Sequence, residues 1–344
     1  MNKAATNPVF ITEELLVNIN INDPFFDSFK TQYINFTHWF HYLAKSGKKA
    51  WIYMDNEAVA AFLLIEEDEY ISGASPEYER KKRLNISRLK ICTQVMIITE
   101  LFLKITIDEA IKKSINEIYF TCFPGQQENI IPFLTEIGFE KLARKTNNED
   151  IYIKKLCPPS RNMEPAEIQE RYYPTFYDGI KVKKYILPVP PLLHNKIFAD
   201  SREFKPTLFE SAGEKFIEGN TIKKLIFLKD KTALSLVKGD ILLIYRTTDI
   251  KSLTSLCVVD HVNINKKQDT ELPALYHEEE QESRAEKTGV YFKWYFHLPV
   301  YIDNAFLNSL KISSRNLNKI IRLDQKKYKT IIQECRLNPE YIVP

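Results

Sequence analysis

The sequence predicts an α+β chain of two domains, and three observations lead there. Its 344 residues exceed the size at which a single hydrophobic core usually keeps growing. Pro158 and Pro159 interrupt regular structure just after the strand-like run Asp150-Ile151-Tyr152-Ile153-Lys154. Helical and strand periodicities are mixed before that break, and strand periodicity dominates after it. The expected domains are residues 1–157 and 180–344, with 158–179 as a linker.

In the first half, Asp23-Pro24 opens a helix through Phe25, Phe26, Phe29 and Tyr33, and a second helix runs from Asn35 through Trp39, Phe40 and Leu43 to a stop at Gly47. The strand-like runs Ala50–Met54 and Val59–Ile65 flank the turn residues Asp55-Asn56 and read as a hairpin. A third strand, Ile86 to Val95, leads into a helix from about Thr99 to Ser114, with Phe102, Leu103, Ile107, Ala110 and Ile111 at helical spacing. A strand from Glu117 to Phe123, a helix from Gln127 to Ile137 and a strand pair around Lys141 to Lys154 complete an ααβββαβαββ order.

The second half reads as strands at Val182–Leu187, Ile222–Leu228, Asp240–Tyr245, Ser255–Val262 and Val290–Phe296. Short helices are expected at Pro191–Phe198, Ala305–Leu310 and Gln325–Cys335, and the charged stretch Lys266 to Lys287 reads as an exposed insertion. The expected architecture is a small, partly open β-barrel with peripheral helices.

Composition narrows the function classes. Apolar residues at 44% and charged residues at 27% fit an ordinary globular protein, not a disordered or fibrous one. No apolar run approaches the roughly 18 to 20 residues needed to cross a bilayer, so no membrane partner is expected. The five cysteines are widely spaced and form no C-x-x-C pair, which points to reduced thiols, a cytoplasmic location and no metal site. Charge is uneven: residues 158–344 hold 29 basic and 24 acidic side chains, although positions 269–286 contain seven acids against one arginine. A basic surface interrupted by one acidic loop suits a polyanionic partner.

The element order of the first half, ending in Ile137-Gly138-Phe139, resembles the GNAT N-acetyltransferase family over residues 8–156. In that family a strand opens into a helix through an R/Q-x-x-G-x-G/A loop whose N–H groups hold the pyrophosphate of acetyl-CoA. The matching stretch is Gln94, Val95, Met96, Ile97, Ile98 and Thr99, where Gln94 fits the first position and Ile97 and Thr99 replace the glycines. The resemblance implies acetyl-CoA as cofactor, Glu66 and Glu67 as bases, and Cys122 near the thioester.

Across residues 180–335 the chain resembles the PUA-like group that includes the ASCH and EVE domains. Gly213-Glu214-Lys215-Phe216-Ile217-Glu218-Gly219-Asn220 is similar to the ASCH pattern G-x-K-x-x-E-x-R, departing at Asn220. Gly239-Asp240 followed by Ile241 to Arg246 is similar to that group's G-D-x-φ-φ-φ-Y strand. This resemblance implies binding of RNA, or of a ligand carrying a nucleotide or modified base, through aromatic stacking and basic side chains. Tyr245, Arg246, Trp294 and His297 are expected near the cleft, with Lys215, Lys223 and Lys224 as phosphate contacts. Lys215 and Glu218 match a lysine and glutamate that some ASCH domains use as amidohydrolases.

Two functions follow. One is an acetyl-CoA-dependent N-acetyltransferase that presents a nucleic-acid substrate on its second domain. The other is a non-catalytic nucleic-acid-binding or regulatory protein with a protein partner, as in toxin-antitoxin or defence systems.

Overall fold

A computed structural model describes residues 10–55, 57–92, 96–126, 129–198, 214–216, 220–229, 231–263, 288–313 and 317–344. Its elements in chain order begin with β1 (Phe10–Leu15), α1 (Asp27–Gln32), α2 (Phe36–Lys45), β2 (Lys49–Asp55), β3 (Ala58–Asp68), β4 (Ala74–Ser75) and β5 (Arg83–Ile91). There follow α3 (Met96–Lys112), β6 (Glu117–Cys122), α4 (Ile131–Glu136), β7 (Phe139–Lys145), β8 (Asp150–Lys155), α5 (Pro165–Arg171), β9 (Phe176–Tyr177), β10 (Lys184–Val189) and α6 (Pro191–Ile197). The remainder is β11 (Glu214–Phe216), β12 (Lys223–Leu228), β13 (Ile241–Arg246), β14 (Ser252–Asn263), β15 (Thr288–Asp303), α7 (Asn304–Ser309), β16 (Ile321–Leu323), α8 (Gln325–Cys335) and β17 (Ile342–Val343).

The chain divides into two compact units, Met1–Lys154 with Lys205–Asn220, and Lys155–Phe204 with Thr221–Pro344. The first is built on a nine-stranded mixed sheet of order β11-β1-β2-β3-β5-β6-β8-β7-β4. One of its cores is aromatic: Phe26 meets the rings of Phe25, Phe36, Phe40 and Phe62 at 5.1 to 6.3 Å between centroids. Phe36 and Phe40, four apart in α2, share one side of that helix, while Phe25 and Phe26 lie in the turn before α1 and Phe62 in β3. At the opposite end of β5, Arg83 is 1% exposed and its Nε donates to Glu117 at 2.8 Å, while Lys81 approaches the other oxygen of Glu117 at 2.5 Å.

Helix α3 is apolar almost all round, and Ile98 to Ile107 are all buried. That pattern explains one difference from the sequence expectation. The continuous run Val95-Met96-Ile97-Ile98 reads equally as strand or helix. The strand ends at Ile91 and the helix already begins at Met96. Similarly, α4 starts at Ile131 rather than Gln127, with Pro132 in its first turn, where a missing N–H costs nothing.

The second unit has a six-stranded sheet of order β12-β15-β14-β13-β10-β16 and a two-strand pair, β17-β9. Among the described residues none of the sheets closes, so the expected barrel is an open sheet, with β12 and β16 at its edges. Alternating burial along a strand looks the same in either arrangement. The core gathers Tyr185, Leu187, Leu242, Ile244, Cys257, Val259, Phe292 and Trp294. Residues 165–177, in the segment expected as a linker, carry α5 and β9, with Ile168 and Phe176 fully buried. No helix among the described residues is long and apolar enough to cross a membrane.

Candidate functional site

The parallel pair β5–β6 is the feature of the first unit with chemical consequence. The two strands are in register only at Leu84↔Ile118, Asn85↔Tyr119 and Ile86↔Phe120, while β5 continues to Ile91 paired with β3 on its other side. Beyond Ile86, the flank of β5 that faced β6 has no strand beside it among the described residues.

Four side chains gather near this parting. The Arg88 guanidinium lies over the rings of Tyr33 at 4.0 Å and Trp39 at 4.5 Å. The Tyr33 hydroxyl donates to Glu149 Oε1 at 2.9 Å. Glu149, 3% exposed, also accepts from Asn147 Nδ2 at 3.1 Å and pairs with Lys145 at 3.3 Å. Burial alone would raise its pKa, but the charge of Lys145 and hydrogen bonds from Asn147 and Tyr33 hold it below the usual carboxylate range. Burial and the neighbouring carboxylate push the Tyr33 phenol up, so it stays a protonated donor. Burial lowers the pKa of Arg88, whose Nε is buried without a hydrogen-bond partner. A neutral phenol joined to an ionised carboxylate beside a half-buried guanidinium can pass a proton and stabilise nearby negative charge.

The residues expected as catalytic fall elsewhere in chemical character. Glu67 pairs with Lys82 and Lys113 at 2.6 Å each, and their hydrogen bonds hold its pKa down at about 2, which makes it a poor base. Glu66 is half-buried and its charge acts on Arg88. Cys122 is buried at the end of β6, and burial, with Asp150 and Glu149 nearby, pushes its thiol up to about 12, far from a reactive thiolate. In the expected cofactor loop, Ile97, Ile98 and Thr99 lie in the first turn of α3, with Ile98 and Thr99 buried. Met96 opens that helix, and Gln94 and Val95 lie outside the described residues.

Tyr33, Arg88 and Glu149 escaped sequence reasoning for identifiable reasons. Tyr33 reads as the last apolar position of a helix, and Glu149 sits in Asn147-Asn148-Glu149-Asp150, which looks like a solvated turn. Arg88 left one signal: Ser87-Arg88 breaks the alternation of buried and half-buried positions that runs from Leu84 to Ile91.

In the second unit, most of the expected nucleic-acid contacts are interior. Lys224 is 2% exposed, with its ammonium 5.3 Å from the Trp294 ring and 5.9 Å from Phe198. Trp294 belongs to the core and lies 4.5 Å from His297, whose Nδ1 meets Ser255 Oγ at 2.9 Å. Arg246 is committed to Asp249 at 2.6 Å, to Asn195 at 2.5 Å and to the buried His194 at 3.3 Å. The Tyr245 hydroxyl donates to Asn304 at 2.7 Å.

The Gly239-Asp240 motif is architectural. Gly239 has φ +96°, and a Cβ there would stand 2.9 Å from Gln169. The Asp240 carboxylate accepts the N–H groups of Lys183 and Val237, tying β13 to the start of β10. Lys223 is half-buried opposite Lys293. Lys215 lies in β11, paired with Ile11 of β1 in the sheet of the first unit, and Glu218 lies outside the described residues, as does the acidic loop.

Comparison with protein-family models gives no match, and comparison with curated proteins gives none either. Among solved structures, the chain is similar to a mutant of ZmASCH from Zymomonas mobilis at 12% identity, covering 44% of this chain and 95% of that one, TM-score 0.29. It is similar to human THYN1, solved with DNA containing 5-methylcytosine, at 11% identity over 46% and 99% of the two chains, TM-score 0.27. It is also similar to FeeM, an N-acyl amino acid synthase from uncultured soil microbes, at 11% identity over 31% and 71%, TM-score 0.24.

Proposed function

We propose that the first unit transfers an acyl group to an amine, and that the second unit binds the nucleic acid or nucleotide-bearing molecule that carries this acceptor. The observation that carries the reading is the Tyr33–Glu149–Arg88 group beside the parting of β5 and β6. It combines a protonated donor, the carboxylate that orients it and a fixed positive charge.

The chain's own residues suit an acyl-CoA in two respects. The parting of β5 from β6 after the Ile86↔Phe120 pair suits an extended arm containing amides. The first turn of α3 lies at the positive end of the helix dipole, suited to a phosphate. Bound there, acetyl-CoA would supply an activated thioester. As the amine nitrogen bonds to the acyl carbon and the C–S bond breaks, the amine's proton would pass by way of the Tyr33 hydroxyl to the departing thiolate, with Glu149 orienting that hydroxyl and Arg88 contributing positive charge while negative charge develops.

The test is release of free thiol from acetyl-CoA in the presence of polyamines, lysine peptides and RNA. Glu149→Gln and Tyr33→Phe are expected to lower an observed rate by about 10²- to 10⁴-fold. Wild-type rates in both variants would remove these residues from the reaction.

A non-catalytic role for the first unit is favoured by one observation. No glycine lies at the β5–α3 junction, and Ile98 and Thr99 face the interior. Absence of thiol release with every acceptor, together with retained nucleic-acid binding, selects that reading.

A further inference from the structure

A cavity of about 280 Å³ opens in the second unit between the end of α7, strand β16 and the first turn of α8. Lys311, Lys319, Arg322 and Lys327 are among the nine residues that wall it. Four of these nine residues are basic and none is acidic. Lys311, Lys319 and Arg322 are exposed and form no ion pair among the described residues, whereas Lys327 has Asp324 at 3.7 Å. Asp324 is itself occupied as the N-cap of α8, accepting the N–H of Lys327 at 2.8 Å.

Like charges gathered around a concavity repel one another, so the arrangement is costly without an anion to occupy it. Strand β16 adds a second attraction. Among the described residues it is the edge of its sheet, paired only with β10, so no described strand claims its outer backbone groups. The surrounding sequence continues the trend: positions 311–329 hold seven basic residues and a single acid. The volume lies at the lower end for small-ligand sites, enough for a phosphate with part of its sugar.

We propose that this cavity seats a backbone phosphate of the nucleic acid that the second unit binds. The proposal rests on the nucleic-acid reading of that unit. It moves the phosphate contact away from the half-buried Lys223 and buried Lys224 to four cations that line an open concavity. Because the site reads phosphate and not base edges, its contribution is uniform across sequences and sensitive to salt.

The experiment measures binding of fluorescein-labelled single-stranded RNA and DNA to the full chain between low and physiological salt. Compared are wild type, Lys319→Glu/Arg322→Glu, and the milder Lys319→Gln/Arg322→Gln. All four substitutions fall on exposed side chains, and thermal unfolding of each variant checks that it folds. The expected result is at least tenfold weaker binding in the charge-reversed variant, with the salt slope reduced by about 1 per cation removed, and an intermediate loss in the neutral variant. Folded variants that bind as wild type does, with an unchanged slope, overturn the phosphate site while leaving the nucleic-acid reading intact. A wild type that binds neither polymer overturns that reading and the site with it. Saturable binding of inorganic phosphate, lost in the variants but without binding of either polymer, assigns the cavity to a free phosphate and overturns the nucleic-acid assignment.

Discussion

His194 is fully buried, with Nε2 2.8 Å from Thr254 Oγ1 and Nδ1 3.3 Å from Arg246. Burial, and secondly the Arg246 charge, hold its pKa down at about 3, against 6.5 for an ordinary histidine. The folded state therefore leaves this ring neutral where the unfolded chain protonates it. A lowered folded pKa means that stability falls as pH drops below about 6.5, at about 1.4 kcal/mol per pH unit, and stops falling near the folded pKa. Between pH 7 and pH 5 the loss from this one group is about 2 kcal/mol. His194→Gln keeps a hydrogen-bonding side chain without the titration. Urea unfolding should be followed in a Trp39→Phe/Trp51→Phe background, where Trp294 is the sole tryptophan and reports the second unit alone. The His194 protein should lose about 2 kcal/mol more than the glutamine variant over that interval. Equal losses in both would refute the claim that the histidine is held neutral.

Two further outcomes follow from other buried groups. Glu117→Gln leaves the buried Arg83 guanidinium without its carboxylate and should destabilise the first unit by about 3 to 5 kcal/mol in denaturant unfolding; a loss below about 1 kcal/mol would place this pair among surface bridges. Thiol labelling of the native protein at pH 8 should modify the exposed Cys92 rapidly and leave Cys122 and Cys335, both pushed up to about 12 by burial, unreacted until the chain is unfolded. Rapid modification of Cys122 would contradict its assignment as an inert core thiol.

The parts of the fold that were legible in the sequence are those where local pattern and final environment agree. Gln325–Cys335 was expected as a helix and is one, because Tyr328, Ile331, Ile332 and Cys335 bury a single face at helical spacing. The hairpin β2–β3 and the strands β6, β12 and β13 follow from the same agreement. The short strands β4, β9, β11, β16 and β17, each two or three residues long, have no periodicity to read and exist only through their pairing partners. The candidate site fared differently because its chemistry is assembled from distant positions. Tyr33 and Glu149 are 116 residues apart in sequence and meet through one hydrogen bond. The acidic run at Glu66-Glu67-Asp68 attracted attention by composition, yet its charges are taken up by Lys82 and Lys113 on Glu67, and by Asn85 and Tyr119 on Asp68. Aromatic and basic residues in the later strands suggested a stacking cleft, and Trp294, Tyr245 and Arg246 are instead interior, each with neighbours that hold it in place.

Acyl transfer by the first unit stands or falls on whether the parting beside Arg88 and the first turn of α3 receive an acyl-CoA. Isothermal titration of the full chain with acetyl-CoA, alongside Ile97→Glu, tests this most directly. Ile97 is half-buried in that first turn, where an added carboxylate is tolerated by the helix dipole but repels a phosphate. Saturable binding by wild type that the variant abolishes is the predicted result, and absence of binding at millimolar acetyl-CoA would contradict it.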